Sequence, residues 1–285
     1  MSDFQFHEKE SVSLYLDNLE LIEDISSDLQ CVQVYNHIML GKVLIINDEI
    51  QHVEKWMPYY HESIVHIPMM FIEKPENVLI LGGGDLFAAQ EALKYESIKN
   101  VVLCDYDENV IRVTRRYYKH ANEVLNDKRF HLVIDDARNY IKKCTIKFDL
   151  VIDDCFNLVE TFDNESIFSD LKKMLNENGI CSSLVYRHIF ETSTNQKTFQ
   201  RLISNHNTVL SLITVPEYPG ILHLLTIWGN AVNLKQNLNK SVNINHLQDI
   251  TFIKRCKLFN PRFCDFYLFL PNYIKNIFNK EEVEE

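Results

Sequence analysis

Val78-Leu79-Ile80-Leu81-Gly82-Gly83-Gly84-Asp85 is the stretch that decides the fold. Three of the seven glycines of this 285-residue chain stand side by side in it. Glycine loses the most backbone freedom inside regular structure, so a cluster directly after an apolar run predicts a strand that ends in a tight turn. The helix-compatible residues 86–93 follow at once. In a parallel α/β sheet, such a junction is where a nucleotide-like ligand binds.

Strand and helix patterns alternate beyond this stretch, which predicts a parallel sheet with helical crossovers. The predicted strands cover residues 78–81, 101–104, 131–134, 150–152 and 180–185, and the predicted helices cover 86–95, 108–120 and 167–175. A last pair of strands, 208–215 and 222–228, flanks Pro216-Glu217-Tyr218-Pro219-Gly220. These patterns predict an α/β protein with a Rossmann-like, methyltransferase-type sheet.

The first fifty-odd residues have a different pattern, with short β-branched and aromatic runs separated by turn residues such as Asn47-Asp48-Glu49. This pattern predicts a small antiparallel β domain over residues 1–56. Pro58 opens a helical pattern over residues 59–70. The Rossmann-like catalytic domain is therefore predicted to span residues 57–285.

Composition narrows the class of protein. The net charge is -11 without any basic run, which disfavours nucleic acid as a partner. The seven cysteines are odd in number and never spaced Cys-x-x-Cys, so free thiols in a reducing cytoplasm are expected rather than disulfides or zinc. No signal peptide pattern and no membrane-length apolar run is present, so we expect a cytoplasmic protein without a membrane partner.

Acidic residues follow four successive predicted strands: Asp85, Asp105, the pair Asp135-Asp136 and the pair Asp153-Asp154. Ligands bind outside the carboxyl ends of the strands in an open α/β sheet, so these side chains are predicted to share one edge. Asp105 follows the glycines at the spacing typical of a carboxylate that binds a ribose diol. The alternative for each aspartate is a helix cap or a turn former.

The glycine loop lacks two features of phosphate binders. Phe87 stands where the dinucleotide fingerprint has its third glycine or alanine, and no Lys-Ser/Thr pair follows the glycines. A ligand with an adenosine group and no phosphate fits these residues better, which points to a donor of the S-adenosylmethionine type.

Several ordered motifs resemble the spermidine synthase family of aminopropyltransferases. The matching segments are Ile50-Gln51, Tyr60-His61-Glu62, Gly82 to Asp85, Asp105 in Leu103-Cys104-Asp105-Tyr106-Asp107, Asp135-Asp136-Ala137, Asp154-Cys155-Phe156-Asn157-Leu158, Pro216-Glu217-Tyr218-Pro219, and Phe259-Asn260 through Phe269-Leu270-Pro271. The match runs over most of the chain, and motifs in one register are more specific than any single one.

The resemblance implies a donor, decarboxylated S-adenosylmethionine, and a set of roles. Asp154 and Tyr60 would be catalytic, with Asp154 removing or orienting the acceptor's proton. The donor would be bound by Gln51, Gly82, Gly83, Gly84, Asp85, Asp105, Asp135 and Asp136, with Asp85 on its ammonium, Asp105 on the ribose and Asp136 on the adenine. The acceptor would meet His61, Glu62, Asn157, Arg187 and Tyr218. The resemblance also implies no metal, and a homodimer through the aromatic segment 263–273.

The chain departs from the family pattern on the acceptor side. A carboxylate is replaced by Asn157, a proline by Leu158 and a glutamine by Leu184, while Tyr186-Arg187-His188 brings a cation. A cation there favours an anionic acceptor over a diamine, although a surface salt bridge explains Arg187 equally well. The altered side is similar to that of the spermidine-synthase-like enzyme of microcin C-type peptide-nucleotide pathways. Leu86-Phe87 also replaces a glycine pair, which predicts a bulkier loop near the donor.

Three other functions stay open at this point. The first is spermidine synthesis with putrescine as the acceptor. The second is N-methyl transfer from intact S-adenosylmethionine, as in the putrescine N-methyltransferases. The third is a non-catalytic member of the family that acts as a binding partner, against which Asp154, Asp85 and Tyr60 argue.

Overall fold

The computed structural model describes residues 2–9, 12–155, 165–187, 208–219, 222–230 and 250–272. Two sheets organise them. The first is a five-stranded antiparallel sheet and the second a seven-stranded sheet.

The antiparallel sheet holds consecutive strands as neighbours. Its strands are β1 (Ser2–Lys9), β2 (Val12–Ser26), β3 (Cys31–His37), β4 (Gly41–Ile46) and β5 (Glu49–Val53). Apolar residues buried at alternate positions, as Val32 and Val34 are in β3, give the sheet a core face. Val32, Val34 and Leu44 pack against Val110 and Val113, so this sheet covers part of the structure that follows it in the chain.

The larger sheet has the order β11-β12-β10-β9-β6-β7-β8. Its strands are β6 (Asn77–Gly82), β7 (Asn100–Asp105), β8 (Phe130–Ile134), β9 (Phe148–Asp154), β10 (Leu175–Arg187), β11 (Val209–Ile213) and β12 (Leu222–Gly229). The strands β8, β7, β6, β9 and β10 run parallel, and β12 pairs antiparallel with both β10 and β11. This architecture confirms the predicted Rossmann-like α/β class with its small antiparallel sheet.

Helices lie between these strands and after the last of them. They are α1 (Met57–Met69), α2 (Phe87–Leu93), α3 (Glu108–Tyr117), α4 (Lys119–Leu125), α5 (Ala137–Lys143), α6 (Glu165–Met174), α7 (Ile250–Arg255) and α8 (Cys264–Tyr267). Three of them, Ala137–Lys143, Ile250–Arg255 and Cys264–Tyr267, were not predicted from the sequence. The predicted helix over 108–120 is wrong at its end, because Tyr118 adopts an extended conformation that separates α3 from α4. Its buried ring packs against His52 and Phe87. The strand predicted at 180–185 starts at Leu175, with an irregular register before Ile180.

The division of the chain at residues 56 and 57 stays a prediction. The antiparallel sheet ends at Val53, a 3₁₀ turn covers Glu54–Trp56, and α1 then begins with Pro58 in its first turn. Proline is well tolerated there because a first-turn amide has no partner within the helix. The helix α1 then packs on α2 and β10, on the larger sheet.

Candidate active site at the carboxyl edge of the parallel sheet

The strand order reverses direction at β6, which lies between β7 and β9. The chain leaves β6 toward β7 on one side and returns to β9 on the other, and the crevice outside such a switch point is the usual ligand site. Gly82 at the end of β6 is the register partner of Asp154 at the end of β9. Asp105 ends the other neighbour, β7. The strand-end carboxylates therefore meet at one edge, as expected.

The glycine loop lets these strand ends approach closely. Gly82 has φ of +79°, and a Cβ there would lie 2.8 Å from the carbonyl oxygen of Asp154. A Cβ at Gly84 would lie 2.7 Å from Oδ2 of Asp105. Both distances are shorter than any side-chain carbon tolerates, so only glycine permits this packing.

Leu86 and Phe87 turn away from the cavity, so the expectation of a bulkier loop near the donor is wrong. Leu86 takes φ of +65° and is completely buried in the core. The left-handed conformation costs a non-glycine residue about 1–2 kcal/mol, which burial of a leucine side chain, worth about 1.5–3 kcal/mol, offsets. The Phe87 ring stacks on His120, with ring centres 3.7 Å apart.

A cavity of about 310 Å³ opens at this edge. Its walls include the following predicted site residues: Gln51, Tyr60, His61, Gly82, Gly83, Gly84, Asp85, Asp105 and Asp154. Among the described residues that line it there are three carboxylates and neither a lysine nor an arginine. The cavity therefore suits a ligand with cationic and hydroxyl groups and disfavours a phosphate-rich one.

Asp154 and Tyr60 form the first polar contact of the cavity. Asp154 ends β9, and its carboxylate accepts a hydrogen bond from the hydroxyl of Tyr60 on α1. Burial raises the pKa of Asp154 to about 7, against a partial opposing effect of the charge on His61. Burial and the charge of Asp154 keep the pKa of Tyr60 well above its usual value. Near neutral pH, Asp154 can thus take up a proton while Tyr60 keeps its own.

Asp85 lies between two histidines. Its Oδ2 is 3.2 Å from Nδ1 of His52 and 3.3 Å from Nε2 of His61. Burial disfavours a charge on Asp85, yet these rings, above all His61, hold its pKa well below the usual range. Burial likewise opposes a charge on His61, but the Asp85 carboxylate outweighs it and the pKa of His61 is raised.

Asp105 supplies the third carboxylate. It is buried, and its Oδ1 accepts the backbone N–H of Asp107 at 2.9 Å. Burial raises its pKa, and hydrogen bonds from backbone amides counteract part of that effect. Its other oxygen lies beside Gly84, at the cavity wall.

Four predicted site residues lie away from the cavity. Tyr218 donates its hydroxyl to the carbonyl of Ile50 at 2.9 Å, and Glu62 turns to the C-terminal segment. Asp136 caps α5 by accepting from the amides of Arg138 and Asn139, and Asp135 accepts the amide of Asp136. In that loop it is Ala137 that reaches the cavity wall. Asn157 lies outside the described residues, and the side chain of Arg187, at the end of β10, is not described either.

Sequence reasoning missed several cavity residues. Leu44 and Ile46 reach the cavity from β4 and Gln30 from the turn between β2 and β3 of the antiparallel sheet, while Tyr106 and Val110 follow Asp105. Tyr106 directly follows the strand-end Asp105, and this position was a usable signal. For the three residues of the antiparallel sheet no local signal exists, because the docking of that sheet brings them there.

Glu62 fastens the C-terminal segment to α1. Its buried carboxylate accepts the backbone N–H groups of Lys257, Leu258 and Phe259 at 2.7, 2.8 and 2.6 Å. These charge-assisted bonds satisfy three amides that otherwise have to be hydrated.

We expect Glu62→Gln to lower the free energy of unfolding by about 2–4 kcal/mol, because a neutral amide offers one acceptor to three donors. Urea denaturation followed by circular dichroism measures this. Glu123→Gln, at an exposed position of α4, serves as the control and changes stability by less than about 0.5 kcal/mol. Equal stability of the two variants would contradict a structural role for Glu62.

The described residues provide neither a metal site nor a membrane-spanning helix. None of their His, Cys, Asp or Glu side chains form a group of three or more with metal-binding geometry. Within the same residues, no helix combines the length and the apolar character that a membrane crossing demands.

The fold and the site define a Rossmann-like α/β protein with an acidic ligand cavity at its switch point. Comparison with known sequences identifies the family. The spermine/spermidine synthase domain model matches residues 57–240. A polyamine aminopropyltransferase of Buchnera aphidicola is 29% identical over 261 residues, covering 87% of this chain and 88% of the relative. One of Archaeoglobus fulgidus is 32% identical over 207 residues, covering 70% and 74%.

The chain therefore belongs to the spermine/spermidine synthase family, and the resemblance found in the motifs is confirmed. The relatives are named as aminopropyltransferases, which are enzymes that transfer an alkyl group, so the predicted enzyme class is confirmed as well.

Solved structures agree on the fold. Spermidine synthase from Thermotoga maritima superposes with a TM-score of 0.80 at 24% identity, over 97% of this chain and 94% of that one. A spermidine synthase in complex with the transition-state analogue AdoDATO gives a TM-score of 0.82, with the same identity and coverage.

Proposed function

We propose that this protein is an aminopropyltransferase that takes its group from decarboxylated S-adenosylmethionine. The observation that carries the proposal is the cavity wall, which offers Asp85, Asp105 and Asp154 and, among the described residues, no cationic Lys or Arg. Such a wall fits a sulfonium nucleoside that ends in an ammonium. Family membership supports the same reaction.

The donor supplies a carbon activated by the neighbouring sulfonium, which an amine can attack. The chain's own residues bind and orient. Asp105 accepts from the ribose hydroxyls, and Asp85 faces the ammonium end. We assign the adenine edge to the loop of Asp135 and Asp136, whose Ala137 lines the cavity.

Proton removal falls to Asp154. Its pKa of about 7 lets the carboxylate accept a proton from the acceptor's ammonium near neutral pH, which frees the amine lone pair to attack the carbon and displace the neutral thioether. Tyr60 holds the carboxylate in place. Holding the nucleophile and the carbon in line supplies much of the remaining acceleration. Gln51 and His61 line the same cavity, so we keep Gln51 as a donor-binding residue and His61 as an acceptor-binding residue.

Two classes of acceptor, a polyamine and an anionic compound, fit different features of the chain. The names of the relatives favour a polyamine such as putrescine. Asn157 in place of a carboxylate, together with Arg187, favours an anionic acceptor. The phosphate of a peptide-nucleotide is such an acceptor. Putrescine and a nucleotide-peptide phosphate therefore both have to be tried as acceptors.

Mass spectrometry of reaction products tests the function. The protein is incubated with decarboxylated S-adenosylmethionine and either putrescine or a nucleotide-peptide phosphate, and in parallel with intact S-adenosylmethionine. A mass gain of one aminopropyl group on either acceptor supports the proposal and identifies the acceptor class. A methyl gain from the intact donor establishes N-methyl transfer instead. Absence of any product together with absence of donor binding favours the non-catalytic alternative.

Two further expectations accompany the proposal and stay predictions: a cytoplasmic location and a homodimer. Sedimentation velocity tests the dimer directly.

A further inference from the structure

His52 contacts the donor-facing carboxylate without lining the donor cavity. It lies on β5, opposite Leu44 of β4, and is 1% exposed. Its Nδ1 is 3.2 Å from Oδ2 of Asp85, the same oxygen that His61 approaches from α1. His61 belongs to the cavity wall, whereas His52 lies behind it.

Both rings contact Oδ2 of Asp85 through a ring nitrogen, and these contacts stabilise the charged carboxylate. Nε2 of His52 has no hydrogen-bond partner among the described residues. The other oxygen of Asp85, Oδ1, accepts the backbone N–H of Phe87 at 3.0 Å. Before any ligand binds, the Asp85 carboxylate therefore already contacts a backbone N–H at the start of α2 and two imidazole rings.

The two rings cannot easily move away. His52 packs edge-on against Phe87 and Tyr118, with ring centres 5.4 and 5.0 Å apart. His61 packs against Tyr60 and Phe87. Because packing holds both rings against Asp85, the positive charge that faces this carboxylate changes through loss or gain of a proton rather than through movement of a ring.

Other titratable groups surround the pair. Asp154 acts on His61, and the Glu217 carboxylate, which accepts the Val53 amide at 3.1 Å, lies on the β5 side. His120 bonds the Asp85 carbonyl oxygen at 2.7 Å, and burial lowers its pKa. The remaining neighbours are the hydroxyls of Tyr60 and Tyr118, whose pKa values burial raises well above the usual one. Burial raises the pKa of Asp154 to about 7.

We propose that capture of the donor's ammonium by Asp85 is coupled to release of a proton from His61, and that His52, which contacts the same carboxylate oxygen, is the positioning residue that sets the pH of this exchange. The inference rests on the proposed function. When His61 is protonated, the charge of Asp85 is already neutralised and an incoming ammonium gains little. When the proton leaves to solvent, the carboxylate is free to pair with the ammonium, so donor binding strengthens as the pH rises.

Calorimetry tests this coupling. Decarboxylated S-adenosylmethionine and 5′-methylthioadenosine, the neutral thioether that remains after transfer, are titrated between pH 5.5 and 8.5 in buffers of different ionisation heat. All measurements use an Asp154→Asn background, which prevents turnover and removes the titration of Asp154. The variants added to it are His52→Gln, His61→Gln and the control His66→Gln, a buried histidine paired with Glu91. Thermal melts establish that each variant is folded.

We expect the Kd of the charged donor to fall up to tenfold per pH unit with release of up to about one proton, and the Kd of the neutral thioether to stay constant. His52→Gln leaves Asp85 less compensated, so His61 keeps its proton longer and the transition moves up by about 0.5 pH unit or more. His61→Gln flattens the profile, and His66→Gln does not change it.

Two outcomes would overturn the coupling. One is equal proton release for both ligands, and the other is a His52→Gln profile that coincides with that of the background. If neither ligand binds at any pH, the proposed donor is wrong and the coupling falls with it. If both ligands bind without a difference in pH dependence, the function stands and only the coupling is rejected.

Discussion

Asp154→Asn lowers the rate of group transfer at saturating substrates by about a thousandfold, within the range that general base catalysis supplies. The amide keeps the shape of the carboxylate and the contact with Tyr60 but cannot accept the acceptor's proton. Timed product formation by mass spectrometry measures the loss. Asp17→Asn, at a side chain that is 61% exposed on β2, is the matched control and retains full activity.

The pH dependence of the wild type follows from the same group. Its rate rises with pH through about 7, because burial raises the pKa of Asp154 to that value and only the carboxylate accepts a proton. An asparagine variant that keeps more than about a tenth of the activity would place the base elsewhere, since removal of a general base costs at least about a hundredfold.

The same substitution should increase stability at alkaline pH. The folded-state pKa of Asp154 lies above its unfolded value, so this group favours folding below the unfolded pKa and loses that contribution as the pH rises through about 7. Asparagine carries no such penalty. We expect a Tm about 5 °C above the wild type at pH 8, with a smaller difference at pH 4. Equal Tm values at pH 8 would mean that Asp154 ionises without cost.

Asp85→Asn raises the Kd for decarboxylated S-adenosylmethionine about a hundredfold at pH 8, because removing one partner of a buried charge pair costs about 2–5 kcal/mol. The Kd for 5′-methylthioadenosine, which has no ammonium, changes less than about threefold. Calorimetry gives both values, and Asp17→Asn again is the control. Equal losses for the two ligands would assign Asp85 to the nucleoside or to folding rather than to the ammonium.

The sequence predicted the large sheet well because its signals are local. An apolar run, a glycine cluster and an amphipathic run each specify a strand, a turn or a helix within a dozen residues. Parallel strands also place their carboxyl ends at one edge, so Asp85, Asp105 and Asp154 were correctly expected to lie together.

The errors arose where burial overrides a local pattern. Tyr118 carries a helical pattern but is extended, and its buried ring packs against His52 and Phe87, which are distant in sequence. Leu86 and Phe87 were expected to crowd the cavity, but their side chains find apolar space in the core and against His120. Side-chain direction at a turn depends on which neighbour offers space, and that neighbour is distant in sequence.

The sequence by itself determined the fold class, the position of the cavity and the three carboxylates at its edge, because strand ends and turns follow from residue order. Only the tertiary structure decided what surrounds those carboxylates. Docking of β5 and α1 against the glycine loop brings His52 and His61 to Asp85, and Tyr60 to Asp154. The charge state of the site depends on these contacts, since the pKa of a buried carboxylate is set by burial and by neighbours that only folding brings together.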